Sequence, residues 1–304
     1  MMQNVVIGLG AGLAAALLFA SVVSGSLAAI LLFYLAPLPI LIAALGWSQV
    51  AGLIAAASAT AIVAIFSGVF FAAAAVISFG AWWLGYLTLL ARPATDAGAA
   101  DLEWYPVGRL VLWGAAIGTL VVVAAVPNFG TDQDSLQAGL RRSYERLLHD
   151  QETINLLVKA VPPAAAAFST FTNLLNLWLA ARIVKVSDRL KRPWPDLTAL
   201  TLPPATPRLL AVAIGAYFLP GLFGILSGAC AASLVMAFAI LGFAVLHSVT
   251  PGMNGRALVL ASAYTAAVVL GWPLLLIAIT GLVETMFNIR VRMAQRRGPP
   301  SLRT

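Results

Sequence analysis

Apolar residues fill the first 91 positions, and no Lys, Arg, Asp or Glu interrupts them before Arg92. About 20 apolar residues cross a hydrocarbon core of roughly 30 Å, so this block holds four crossings. Small or polar clusters at 21–26, Trp47-Ser48-Gln49 and Ser67-Gly68 divide it into predicted spans near 5–22, 26–46, 49–67 and 69–91. The block lacks the polar/apolar alternation of a lipid-facing barrel strand, so its backbone must be satisfied within helices. Pro37 and Pro39 each remove a backbone donor inside the second span, which predicts a kink or break at membrane depth.

A polar loop at 92–109 precedes a fifth span at 110–126. Between Asp134 and Lys159 the pattern changes: Leu136, Leu140, Tyr144, Leu147 and Leu148 recur at helical spacing, with Arg141, Arg142, Glu145, Arg146 and Asp150 on other faces. This predicts an amphipathic helix that does not cross. Thr131 to Asp134 supply its capping candidates, and Pro162-Pro163 is expected to end it and open a sixth span at 164–181. Spans seven and eight are predicted at 209–226 and 229–247, joined by a turn at Ser227-Gly228. The last apolar run, 257–289, is too long for one upright helix, and Gly271-Trp272-Pro273 is its strong turn signal.

Charge then orients the chain. Residues 182–208 carry Arg182, Lys185, Arg189, Lys191, Arg192 and Arg208 against Asp188 and Asp196, with five prolines keeping the second half extended, and 290–304 are also basic. The positive-inside rule puts both segments in the cytoplasm. An even number of crossings must separate them, so 257–289 folds back and the expectation is an all-α bundle of about ten spans, 1–304 being one integral membrane domain with both termini inside. All but four of the 18 basic residues, Arg141, Arg142, Arg146 and Lys159, then face the cytoplasm. The expected location is the inner membrane. The N-terminus lacks a basic region of the kind that opens a cleaved signal peptide.

A chain 61% hydrophobic and 10% charged is not a soluble globule. The net charge of +7 sits beside apolar runs rather than on a soluble domain, so it reads as orientation and attraction to membrane lipids, not nucleic-acid binding. A single cysteine, Cys230, excludes a disulfide within the chain, and His149 and His247 fall in different compartments, which argues against a metal site. No GxxxxGK[ST], GxSxG or HExxH stretch occurs, so neither ATP-driven transport by this chain alone nor an enzyme is expected, and no cofactor is implied.

The stretch Asn173 to Ala180 with the basic, Pro-rich loop after it, Ala36 to Ile40, and Gly281 to Arg290 together resemble the YybS-like family of bacterial multi-pass membrane proteins. This chain has Asn288 where that family's ending usually has an acidic residue. The N-terminal half is also distantly similar to substrate-binding subunits of energy-coupling-factor vitamin transporters. That resemblance implies a small-solute role and a partner membrane or ATPase subunit. In those subunits an alanine spacing contacts the coupling partner; here Gly8, Gly12, Ala16 and Ala20 are four apart, a spacing that equally serves packing.

Three residues are candidates for solute contact. Asn173 and Asn176 share a face of span six with Thr170 and Thr172, and either line a polar cavity or hydrogen-bond between helices. Glu284 is the only acidic residue within an apolar span; it is either a proton or cation partner or the mate of a nearby arginine. The leading expectation is a transporter-like core that binds or passes a small solute. The alternative is a non-transporting scaffold presenting the amphipathic helix and basic loop to partner proteins. A polar cavity at Asn173 and Asn176 favours the first; a dry, close-packed centre favours the second.

Overall fold

The computed structural model describes residues 1–66, 71–94, 102–130 and 132–296, with side chains described through residue 292. Ser67-Gly68, Thr131 and the tail beyond 296 lie outside the described residues. Thirteen α-helices and one two-stranded hairpin make up the described chain, which is all-α in class.

Helix α1 (Met2–Ala20) is followed by a broken second span, α2 (Leu27–Tyr34) and α3 (Pro37–Gly46). Ser26 caps α2 by accepting from the Ala29 N–H at 3.2 Å. The break is where the prolines predict it. Pro37 and Pro39 offer no N–H, and the Leu38 N–H turns to Leu35 O at 2.9 Å, which strands the Tyr34 carbonyl. Helices α4 (Gln49–Phe66) and α5 (Phe71–Thr88) complete the uncharged block. The polar loop contains strands β1 (Ala91–Pro93) and β2 (Leu102–Trp104), paired antiparallel with Arg92 opposite Glu103.

Helix α6 (Val107–Ala125) leads to α7 (Gln133–Glu145), the amphipathic element. Its N-cap is Asp132, in a reciprocal capping box with Ser135. The prolines at 162 and 163 do not end the next helix, contrary to expectation. α8 (Gln151–Val186) is continuous through both, 36 residues and about 54 Å long. The hydrogen bonds they remove are those to the carbonyls of Val158 and Lys159, one turn back in the same helix.

A second correction concerns 206–249. Ser227-Gly228 is internal to α10 (Leu222–Val249), and the turn after α9 (Thr206–Tyr217) falls at Leu219-Pro220-Gly221, where Gly221 adopts φ +81°. A left-handed residue beside a proline is the stronger breaker. The final run does fold back where expected: α11 (Arg256–Val269) and α12 (Pro273–Phe287) are bent by 120° about Gly271, at φ +73°. A short α13 (Ile289–Arg296) follows.

Among the described residues seven helical segments are long and apolar enough to cross a membrane: α1, the α2–α3 pair, α4, α5, α6, α8 and α10. The others are shorter. α9 spans about 18 Å, and α11 and α12 about 21–22 Å each, below the roughly 30 Å core.

Close contacts fix which ends meet. α1 and α4 run parallel, Gly8 lying against Ala51 and Ile54 and Gly12 against Ala55 and Ser58. α6 and α8 run antiparallel, Gly118 against Ala166 and Gly114 against Leu174. Gly46 meets Val184, Gly108 meets the Thr201 carbonyl, and Arg192 reaches the Thr88 carbonyl at 3.1 Å. The start of α1 and the ends of α3, α5 and α8 therefore share one face, around the loop at 187–205. The opposite face carries α7 and the first turns of α8, where Leu136, Leu140, Ile154 and Val158 pack against Leu222 and Ile225.

Candidate functional site

The asparagine stripe of α8 is buried, with Thr170, Asn173 and Asn176 at 0%, 3% and 1% exposure. Asn176 spans the helix break in the second span: its Nδ2 donates to the Tyr34 carbonyl at 2.8 Å and to Thr172 O, also at 2.8 Å. The amide supplies the donor that Pro37 lacks and that the Leu38 N–H, turned to Leu35, does not give. A bare carbonyl in lipid costs several kcal/mol, so this bond is what lets α2 and α3 part inside the bundle. Asn173 Nδ2 lies 3.4 Å from Ser169 Oγ within the same helix. The two asparagines thus sit on one packed face.

Glu284 is placed differently, at the last turn of α12, and is 4% exposed. Asn288 closes that helix at φ +49°, its N–H bonded to the Glu284 carbonyl at 2.8 Å, and this left-handed cap swings the following residues back. Arg290 then returns to Glu284, its Nε at 2.7 Å from Oε1 and its backbone N–H at 3.1 Å from Oε2. The same guanidinium donates to the Thr198 carbonyl and, at 2.6 Å, to the Leu200 carbonyl. One carboxylate and one guanidinium therefore pin α12 to the loop at 198–200. Beside it, the Thr198 hydroxyl and backbone N–H hold the Asp196 carboxyl below the usual carboxylate range, with a smaller push from the Arg290 charge.

Glu284 and the asparagines belong to different clusters. Asn176 joins α8 to the α2–α3 break, whereas Glu284 joins α12 to residues 198–200. Neither borders either of two open depressions among the described residues. One, of about 300 Å³, lies along the start of α6 between Tyr105, Arg109, Leu112 and Trp113. The other, of about 220 Å³, is wholly apolar and lies between α9, α10 and α12, lined by Leu210, Val235, Phe238, Ala278, Ile279 and Leu282 among others.

The α11–α12 hairpin borders that groove. α12 packs on α10 at two glycines, Gly242 against Ile277 and Gly281 against Phe238. α11 buries no residue and touches α10 through Tyr264, which stacks on Phe243 at 4.4 Å and hydrogen-bonds His247 at 3.0 Å. The groove residues carry no sequence signal, since all are aliphatic or aromatic in an aliphatic chain; only the turn at Gly271 hints at their neighbourhood. Among the described residues no group of three or more His, Cys, Asp or Glu could hold a metal. The chain matches no family model, no curated protein and no solved structure.

Proposed function

We propose that this chain is a transporter-like multi-pass protein of a bacterial-type inner membrane that takes a small apolar or amphiphilic solute from the side, through the α9–α10–α12 groove. In this reading both termini and the 182–208 loop are cytoplasmic. Eight passes run from face to face, α9 being a short one, and the α11–α12 pair enters and leaves by the cytoplasmic face. That keeps the ten-helix order and the even count that the basic segments require.

The observation that carries the reading is the discontinuous α11–α12 hairpin, two half-length helices meeting at Gly271 beside an open apolar groove. Interrupted helices at membrane depth are a recurring way of building a solute site, because they bring irregular backbone to a place that continuous helices leave inert. The groove is smaller than the roughly 300–1,000 Å³ of drug-sized sites, so its occupant is slender. The resemblance to the YybS-like family and to transporter subunits is consistent with a solute-handling role, and a coupling ATPase or ion gradient would have to supply energy.

A panel of small amphiphiles and polar metabolites, screened by thermal shift on the purified protein, tests this. Selective binding raises apparent stability by mass action, about 2.7 kcal/mol at a hundredfold excess over Kd. The expected result is a rise with amphiphiles that A278W, which fills the groove, abolishes. The scaffold reading is favoured by one observation, the close packing of Asn173 and Asn176. It replaces the transporter if no ligand shifts melting while a protein partner co-purifies through α7 or the basic loop.

A further inference from the structure

Around the end of α8 three exposed basic residues, Arg182, Lys185 and Arg189, rest against aromatic rings. The Arg182 guanidinium lies 5.8 Å from the Trp178 ring and 5.3 Å from the Trp194 ring. The Lys185 ammonium lies 4.9 Å from Trp194, and Arg189 lies 4.6 Å from Trp47. Arg192 is 7% exposed and spends one N–H on the Thr88 carbonyl; among the described residues no carboxylate pairs with it or with the other three. Five cations between 182 and 192 face one local acid, Asp188, which takes part in no ion pair.

Part of this arrangement serves the fold. The carbonyl ends of α3, α5 and α8 converge here, and cations at helix C-termini offset the macrodipole. That role uses few of the available donors. A guanidinium carries five N–H groups, and burial without a counter-ion is costly for it. Desolvation by burial pushes the Arg192 pKa down. Trp47 and Trp194 are half-buried at this same end of the bundle, and indole rings favour the lipid headgroup level.

We infer that Arg182, Lys185, Arg189 and Arg192, with Trp47, Trp178 and Trp194, form a binding site for the phosphate of an anionic phospholipid in the leaflet at the basic face. The rings fix the side chains and so lower the entropy lost on binding, and the guanidiniums supply paired donors matched to phosphate oxygens. This inference stands apart from the groove, which it neither needs nor uses.

The full-length protein in nanodiscs tests it. Phosphatidylglycerol titrated into phosphatidylcholine discs should raise the melting temperature and be retained in native mass spectrometry. R182Q/K185Q/R189Q should weaken that response on the order of tenfold to a hundredfold. R208Q/R256Q/R292Q removes equal charge from the same face and should keep it. Equal losses in both variants would overturn the site in favour of a diffuse field. Inorganic phosphate in phosphatidylcholine discs is the second arm, and full stabilisation by it would overturn the lipid as source. Should the triple variant not fold, R192K answers instead, because it keeps the charge but loses the fork; an unchanged response to phosphatidylglycerol sinks the proposal.

Discussion

The α1–α6 and α8 region and the α9–α13 region are built from the same apolar alphabet, yet they hold together differently. In the first, small residues let long helices approach: Ala15, Ala51, Ala55, Ala56, Ala59 and Ala180 are almost fully buried, and glycines seat α1 on α4. In the second, glycines also seat α12 on α10, but α9, α11 and α12 are short, α11 buries nothing, and a polar clasp between Glu284 and Arg290 holds the end in place. Apolar content alone therefore does not build a packed helix in lipid; close backbone approach does, and α11, which lacks it, is tied to α10 through the ring and hydroxyl of Tyr264.

The sharpest way to break this contrast is Glu284→Ala. Removing one partner of a buried pair costs about 3 kcal/mol or more, because Arg290 is left without its mate. Hydrogen exchange should rise across α12, α13 and 197–200 while α1 and α4 stay protected. Uniform exchange throughout would show that the clasp stabilises the whole bundle, not one region. Gly12→Leu should act on the other region, since any side chain there collides with Ser58 and with the Ala55 carbonyl. Overpacking of this kind costs about 1–3 kcal/mol, read as a lower melting temperature, whereas Gly10→Leu, with open space beside it, should be neutral.

Asn176→Leu comes next. It strands the Tyr34 carbonyl, worth about 0.6–2 kcal/mol in a membrane, and should be rescued in part by Pro37→Ala, which returns a donor. No rescue would mean that the amide serves something other than the break. The smallest effect is acid sensitivity of the α7–α8 cap region. Hydrogen bonds from Ser135 and Thr153 hold the Asp132 and Asp150 carboxyls below the usual range. Their contribution is complete above the ordinary carboxylate pKa of about 4 and lost as pH falls through the lowered folded values. Proteolysis of 146–150 should accelerate only below that range.

Legibility of the sequence followed the strength of local chemistry. The break at Pro37 and Pro39 and the turn at Gly271 were readable, because missing donors and a left-handed glycine act within a few residues; the amphipathic stretch expected over 134–159 was readable only in its first half, since α7 stops at Glu145 and residues from Gln151 belong to α8. Pro162-Pro163 misled, since a proline pair reads as a helix end, whereas α8 runs on through both. Ser227-Gly228 misled for the opposite reason: small residues look like a turn, but Gly228 only makes room for Tyr217. At the candidate site, Glu284 was visible as a lone acid and Arg290 as a possible mate, whereas the partnership of Asn176 with Tyr34, 142 residues away, has no local trace.

The uninterrupted length of α8 has one more consequence. A rod of about 54 Å exceeds a hydrocarbon layer of roughly 30 Å by some 20 Å, and α7 leans on the surplus. Whatever meets α7 meets one end of a single unbroken helix whose other end carries Trp178, Arg182 and Lys185, so one stiff rod joins the two ends of the bundle.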